Sequence, residues 1–261
     1  YDNYKERARQ FLLDLNFSED HLKYHDHDKL AFYAKAACDI FYLFPMGWSE
    51  LNGIHHRSTH DLSRHQEFSG KSMLYLDPVT NEKYIPTVIE YSIGADRLML
   101  AVLTEAYTEE TLADGDTRVV LKLHPAIAPY KVAVLPLQKN LSEKALEVYS
   151  QLAKHFMVTY DESGSIGKRY RRQDAIGTPF CITVDDETIN NGTVTIRDRD
   201  TMEQIRVKID ELELMPMTDD GIIGISIDSQ PGLTIEEINK IGVRAEEYIA
   251  QDEDVESYLL S

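Results

Sequence analysis

Two stretches of the chain combine residue types that bind phosphates and small charged ligands. The first, residues 90–100, reads EYSIGADRLML and predicts a strand that passes into a helix. Glu90 and Ser92 lie two positions apart on that strand, so both side chains face one way and suit an ammonium group. Gly94 permits close approach to the backbone, and Arg97 is placed to grip a phosphate. Alone the pattern is weak, because such Glu–Arg pairs are more often structural than catalytic.

The second stretch, residues 163–184, reads SGSIGKRYRRQDAIGTPFCITV and predicts a short basic helix that leads into a strand. Its polar side chains are of the types that contact RNA phosphates and stack on unpaired bases. The candidate RNA-binding residues are Lys168, Arg169, Arg171, Arg172 and Gln173. The structural alternative is that some of them pair with Asp161, Glu162 and Asp174.

Composition and charge limit the classes of protein that fit. The chain has 261 residues, of which 43% are hydrophobic and 28% charged, as in one large or two small globular domains. No apolar run is long enough to cross a bilayer, so no membrane partner is expected. The net charge of −18 argues against wholesale phosphate binding. Residues 129–213 carry only −2 of it, against −7 before them and −9 after them.

Cysteine and histidine usage indicates neither disulfides nor zinc. Cys38 and Cys181 lie in apolar contexts, and we expect two buried free thiols in a reducing cytoplasm. The histidines are loosely spaced and have no cysteine nearby, so structural or surface roles are favoured over a zinc site. The clustered histidines are His25, His27, His55, His56, His60 and His65.

Hydrophobic periodicity predicts an α+β part followed by an α/β part. In residues 1–128 the pattern predicts helices over 4–16, 28–37 and 93–103 and strands over 38–43, 48–54 and 86–91. In residues 129–213 it predicts a mixed sheet with two helices, 142–155, capped by Ser142, and 165–176. The strands predicted there are 131–137, 157–160, 180–184, 193–197 and 204–209. The last two form a hairpin, on which Arg197, Asp198, Arg199 and Asp200 are expected to make a surface charge ladder.

Several collinear segments resemble class II glycyl-tRNA synthetases of the bacterial dimeric type. They are FPMGWSELNGIHHRSTHDLSRH, SGKSMLYLDP, EKYIPTVIEYSIGADRLMLAVLTEAY and VLKLHPAIAPYKVAVLPL, and the resemblance spans residues 1–213. It implies that residues 1–128 are the end of an antiparallel-sheet catalytic domain, with the third class II motif at 90–100. It also implies ATP, glycine and Mg²⁺ as ligands, a cytoplasmic location, and a homodimer in the full-length enzyme.

The resemblance gives each matching position a role. Glu90 and Ser92 would hold the glycine ammonium, and Arg97 would bind ATP. Glu50 would coordinate Mg²⁺ that bridges the ATP phosphates. Arg57 and Gly94 would complete the ATP site, and Asp61 would help to shape it. Tyr91 stands where the family has proline. The first and second class II motifs are not found, so we expect little or no aminoacylation from this chain alone.

Residues 129–213 resemble the anticodon-binding domain shared by synthetases for Gly, His, Thr and Pro. This implies tRNA(Gly) as a partner. A rival interpretation is a non-catalytic, synthetase-like accessory module that binds RNA and does not need Glu50, Glu90 and Arg97.

The acidic tail, residues 214–261, predicts a small βαβ element. It resembles a porter-domain element of resistance–nodulation–division efflux pumps over a short stretch. A third, weaker interpretation makes this tail the centre of an interaction scaffold.

Overall fold

An antiparallel sheet organises the N-terminal half of the molecule. The structure is a computed structural model, and it describes residues 1–112 and 115–214. The elements of this half are α1 (Asp2–Asp14), β1 (Leu22–Asp26), β2 (Ala36–Phe44), β3 (Gly47–Ser58), α2 (His60–Ser69), β4 (Tyr75–Leu76), β5 (Lys83–Tyr84), β6 (Val88–Ile93), α3 (Ala95–Ala106), β7 (Tyr107–Thr111) and β8 (Thr117–Leu121). Four strands pair antiparallel in the order β1-β2-β3-β6.

Helices α1 and α3 cover one face of this sheet. Leu12 of α1 and Ala101 of α3 pack against Ile40, Tyr42 and Ile54 from the two central strands. Since side chains alternate along a strand, the residues between these apolar positions lie on the opposite face. That opposite face carries the polar residues Asp39, His55, Glu90 and Ser92.

Most of the elements predicted in this half are confirmed, and one is wrong. The helix that opens at Gly94 is found, with Gly94 as its N-cap. The helix predicted over 28–37 is absent, because Ala36 and Ala37 begin β2 and pair with His56 and His55. The cross-strand pairing overrides the local helix preference of an alanine-rich segment. Strand β1, helix α2 and the hairpins β4–β5 and β7–β8 were not predicted.

A mixed sheet organises the second half, as predicted. Its elements are β9 (Val132–Pro136), α4 (Ser142–Leu152), β10 (Val158–Tyr160), α5 (Ile166–Ile176), β11 (Phe180–Val184), α6 (Asp186–Asn191), β12 (Thr193–Asp198) and β13 (Gln204–Lys208). The strand order is β10-β9-β11-β12-β13. Strands β10, β9 and β11 pair in parallel. Strand β12 pairs antiparallel with β11, and β13 pairs antiparallel with β12.

The two long helices of this half pack on opposite faces of its sheet. Val148 and Leu152 of α4 join Val134 and Ile182 in the main core. Tyr170 of α5 packs against the other side. The N-cap predicted at Ser142 is wrong: Leu141 is the N-cap, and the Ser142 hydroxyl donates to Glu162 at 2.7 Å. Helix α6 was not predicted.

A buried ion network joins the hairpin β7–β8 to the second half. Arg118 Nη1 lies 3.1 Å from Asp174 Oδ2, and Arg197 Nη1 lies 2.8 Å from Asp174 Oδ1. Arg199 donates to the carbonyl oxygens of Leu123 and Gly177 at 2.9 and 3.0 Å. The surface charge ladder predicted for Arg197 and Arg199 is therefore wrong, because helix α5 and strand β8 cover that face of the hairpin.

Both cysteines are buried free thiols, as predicted. Burial raises the pKa of Cys38 to about 11 and the pKa of Cys181 to about 12. We therefore expect neither thiol to react with a disulfide reagent until the chain unfolds. Folding favours the protonated thiol, so the free energy of unfolding should fall as the pH rises above about 8.5, the pKa of an unfolded thiol. Reaction of one thiol per chain with such a reagent in native buffer would contradict the expected lack of reactivity.

None of the described helices is long and apolar enough to cross a membrane. The strands and the helix of the βαβ element predicted for the tail, residues 214–261, all lie outside the described residues.

Candidate functional site

The polar face of the N-terminal sheet brings together the residues predicted to bind glycine. Ser92 and Glu90 of β6 lie opposite Gly53 and His55 of β3. Tyr91, between them, faces the helices, where its hydroxyl accepts from Asn52 Nδ2 at 3.1 Å. The strand alternation inferred from sequence therefore holds, and the Tyr91 side chain points away from Glu90 and Ser92.

An arginine and a histidine flank the carboxylate of Glu90. Arg57 Nη1 donates to Glu90 Oε2 at 2.6 Å, and His55 Nδ1 lies 3.7 Å from Glu90 Oε1. Arg57 also donates to both carboxylate oxygens of Asp61, at 2.7 and 3.2 Å, and lowers the pKa of that carboxyl. Its guanidinium carbon lies 4.4 Å from the ring centre of Tyr33. Arg57 is thus fixed from three sides, and it orients Glu90.

A second carboxylate, that of Asp39, lies near His55 and was not predicted from the sequence. Asp39 is 6% exposed, its Oδ2 lies 2.7 Å from His27 Nε2, and its Oδ1 lies 3.9 Å from His55 Nε2. Gly53 separates Asp39 from Ser92 across the strands. A Cβ at Gly53 would come within 3.1 Å of His55 Nε2 and 3.3 Å of Asp39 Oδ1. The missing side chain therefore allows His55 to approach Asp39.

Glu50 and Arg97 meet at the start of helix α3. Arg97 Nη1 donates to the main-chain carbonyl of Glu50, and its guanidinium lies 5.9 Å from the ring centre of Phe44. Both Glu50 and Arg97 are exposed. A Cβ at Gly94 would meet only the Arg97 Cβ, at 3.6 Å, so steric crowding does not require glycine there.

Among the described residues, no three His, Cys, Asp or Glu side chains are arranged to hold a metal ion. A Mg²⁺ ion carried by ATP needs only one or two protein carboxylates besides the phosphates, and exposed Glu50 suits that part. His27 and His55 instead contact the Asp39 carboxylate.

Helix α5 presents three of the five predicted RNA-binding side chains. Lys168 is exposed, and Arg171 and Arg172 follow it at helical spacings of three and four. Arg171 donates to the Thr117 carbonyl and to Asp116, both at 2.9 Å. Its side chain stays 34% exposed, and that of Arg172 stays 47% exposed.

The other two side chains predicted to face RNA are buried, so that prediction is wrong for them. Arg169 is 4% exposed and donates to the main-chain carbonyls of Pro136 and Gly164. Gln173 is also 4% exposed and accepts from the Thr178 hydroxyl at 2.9 Å. Both lie on the inner side of α5, where they fix the ends of the helix to neighbouring loops.

Comparisons with known proteins give the family context. Residues 131–214 match the family model of the anticodon binding domain. The chain is 59% identical over 215 residues to the glycine–tRNA ligase of Clostridium kluyveri, a match that covers 82% of this chain and 46% of the relative. For the glycine–tRNA ligase of Geobacillus thermodenitrificans the identity is 57% over 215 residues, with the same two coverages. This chain is similar in sequence to glycine–tRNA ligases. It spans about half the length of the relatives it matches.

The chain also shares a fold with a solved structure. It resembles the RNA binding domain of threonyl-tRNA synthetase from Cryptosporidium parvum with a TM-score of 0.52 and 20% identity. That match covers 70% of this chain and 42% of the other, and at this identity it establishes the fold alone.

The comparisons confirm the resemblance to glycyl-tRNA synthetase and the resemblance of residues 131–214 to an anticodon-binding domain. They do not support the resemblance of the tail to an efflux-pump porter element. The dimeric type stays a prediction.

Proposed function

We propose that this chain is the C-terminal part of a class II glycyl-tRNA synthetase of the bacterial dimeric type. Residues 1–128 would form the end of the catalytic domain and residues 129–213 the anticodon-binding domain. The observation that carries the proposal is the polar sheet face, on which Glu90, Ser92 and Gly53 lie together in a chain homologous to glycine–tRNA ligases.

The proposed substrate pocket follows from the chemistry of glycine. Glycine offers only an ammonium and a carboxylate, so larger amino acids must be rejected sterically. Glu90, held by Arg57, supplies a fixed negative charge for the ammonium, and the Ser92 hydroxyl supplies a neighbouring acceptor. Gly53 lies directly opposite Ser92 and adds no side chain to this space.

The proposed activation step joins glycine to ATP as glycyl-adenylate, and the 3′ end of tRNA(Gly) then accepts the glycine. Arg97 and Glu50 adjoin each other at the start of α3. Arg97 would contact ATP, and Glu50 would hold Mg²⁺ bound to its phosphates, where the metal neutralises charge. We propose that Arg57 does not contact ATP but positions Glu90, because its guanidinium donates to the carboxylates of Glu90 and Asp61. Such an enzyme would act in the cytoplasm as a homodimer.

We propose that the outer surface of α5 contacts the anticodon stem-loop through Lys168, Arg171 and Arg172. The three cations share one side of the helix, while Arg169 and Gln173 hold it from the other side. Arginine and lysine there would contact phosphates, and an arginine plane would stack on an unpaired base.

Binding of tRNA to the 261-residue chain tests this proposal. We expect fluorescence anisotropy at near-physiological salt to show tighter binding of tRNA(Gly) than of the same transcript with a swapped anticodon. Replacing both Lys168 and Arg172 by alanine should weaken binding about tenfold or more, and the salt dependence of log K should lose about 1–2 units of slope.

Arg206→Ala is the matched control. Arg206 is also a partly exposed, ion-paired arginine of the same domain, but it lies on β13 at the sheet edge. It should leave the affinity within about twofold. Equal binding of both transcripts would count against anticodon recognition by this surface.

The alternative, a non-catalytic accessory module that binds RNA, makes a different prediction. In that case Glu90→Gln in the full-length protein would leave all of its activity unchanged.

A further inference from the structure

Arg172 is held against the loop before α5 by the Asp161 carboxylate and the Ser163 carbonyl. Its Nε and Nη2 donate to Asp161 Oδ2 at 2.8 and 2.6 Å, and Nη2 also donates to the Ser163 carbonyl at 2.6 Å. The other carboxylate oxygen, Oδ1, accepts from the Ser163 amide at 2.9 Å. Asp161 is thus engaged on both oxygens, and its side chain is only 16% exposed.

This ion pair determines which N–H donors of Arg172 remain available to RNA. A guanidinium has five N–H donors, and three of them sit on Nε and Nη2. Those are the atoms that bond Asp161 and Ser163, whereas no described residue accepts from Nη1. Lys168, one turn earlier, has no ion-pair partner among the described residues. Among the described residues, the α5 surface therefore presents one cation without a carboxylate partner, Lys168, and two that carboxylates neutralise, Arg171 by Asp116 and Arg172 by Asp161.

Nonspecific and specific RNA binding respond differently to such a neutralised cation. Nonspecific binding comes from phosphate contacts that release counterions, so it gains from every free cation. A phosphate that approaches Arg172 must either displace the Asp161 carboxylate or accept hydrogen bonds from Nη1 alone. Discrimination improves when a built-in repulsion opposes the wrong partner more than the right one.

We propose that Asp161 is a specificity-determining residue of the RNA interface. It occupies Arg172 and adds a negative charge beside it, which suppresses binding of RNA that offers phosphates alone. Cognate RNA avoids this cost by placing a base acceptor at the unoccupied Nη1 edge, which leaves the pair of Arg172 with Asp161 intact. The inference rests on the proposed tRNA binding by α5, and it goes beyond it by assigning discrimination to a carboxylate.

The structure also supplies a control for charge alone. Asp185 pairs with Arg206 in the same domain, and both its oxygens contact that guanidinium. Asp185 caps α6 by accepting from the Thr188 amide at 3.2 Å, a role that asparagine fills equally well. Asp161→Asn and Asp185→Asn therefore make the same change in net charge, each beside one arginine.

The experiment measures binding of tRNA(Gly) and of the anticodon-swapped transcript to the full chain and its variants over a range of salt concentrations. In Asp161→Asn the amide oxygen still accepts from Ser163, while the loss of charge releases Arg172. We expect affinity for the swapped transcript to rise about three- to tenfold and affinity for tRNA(Gly) to rise less. The slope of log K against log salt should steepen by about 1.

Two further variants make the result decisive. Asp185→Asn should change neither the affinity ratio nor the slope. Adding Arg172→Ala to Asp161→Asn should remove the gain, because the effect acts through that guanidinium. An unchanged or weaker affinity of Asp161→Asn for the swapped transcript would overturn the inference and leave the proposed function standing. Absence of any tRNA binding by the unsubstituted chain would overturn both.

Discussion

Replacing Asp174 by asparagine should lower the free energy of unfolding by about 3–5 kcal/mol, the usual loss when one partner of a buried ion pair is removed. The Asp174 side chain is 0% exposed and contacts Arg118 and Arg197, whose side chains are 1% and 6% exposed. An asparagine would leave two buried guanidinium groups facing an uncharged amide. The amide NH2 is itself a donor, so it could not accept from either arginine. Urea unfolding followed by circular dichroism measures the change.

Glu187→Gln provides the comparison for this experiment. Glu187 Oε2 lies 3.3 Å from Arg206 Nε, and its side chain is 58% exposed, so this is a surface ion pair. Its removal should cost less than about 1 kcal/mol. If Asp174→Asn cost as little as Glu187→Gln, the buried network would not be what joins the hairpin β7–β8 to helix α5.

Replacing Gly177 by alanine should cost about 2–4 kcal/mol, from backbone strain and crowding together. Gly177 ends helix α5 with a φ of +82°, in the left-handed region that favours glycine. A Cβ there would lie 2.7 Å from Leu123 Cδ1 and 3.1 Å from the Leu121 carbonyl oxygen, which is backbone and yields little. Thermal and urea unfolding of the variant measure the cost.

Gly192→Ala separates the two causes. Gly192 ends helix α6 with a φ of +65°, but a Cβ there would meet nothing within 4 Å. Its replacement should cost only the strain, about 1 kcal/mol. Equal losses for the two variants would mean that the packing of α5 against the segment 121–123 adds nothing to stability.

The sequence predicted those elements whose apolar residues form a run or follow a regular period. Strand β9 is a continuous apolar run, β11 is interrupted only by Thr183, and Glu90 and Ser92 follow the strand period, so these strands were predicted correctly. It failed where a polar side chain lies inside. Arg197 alternates with Ile196 along β12 and therefore looks exposed, but α5 and β8 cover both that position and the polar face around it.

The candidate site shows the same limit. Lys168, Arg169, Arg171 and Arg172 are chemically alike in sequence, and only the direction of the helix decides that Arg169 points inward. Asp39 carried no motif, and its contact with His27 depends on the pairing of β1 with β2, which was not predicted. Interactions between elements distant in sequence therefore account for most of what was missed.

The segment that unites the two halves has a consequence for how this domain is inherited and exchanged. The family model begins at residue 131, yet Arg118 and the Leu123 carbonyl contribute to the interior beneath α5. Lys131 Nζ donates to the carbonyl oxygens of Pro125, Ala126 and Ala128 at 2.6–3.0 Å and fixes the connection itself. A recombination point placed at the apparent domain border would separate these groups from their partners. We therefore expect the smallest piece that keeps all of these contacts to start with strand β7, which pairs with β8.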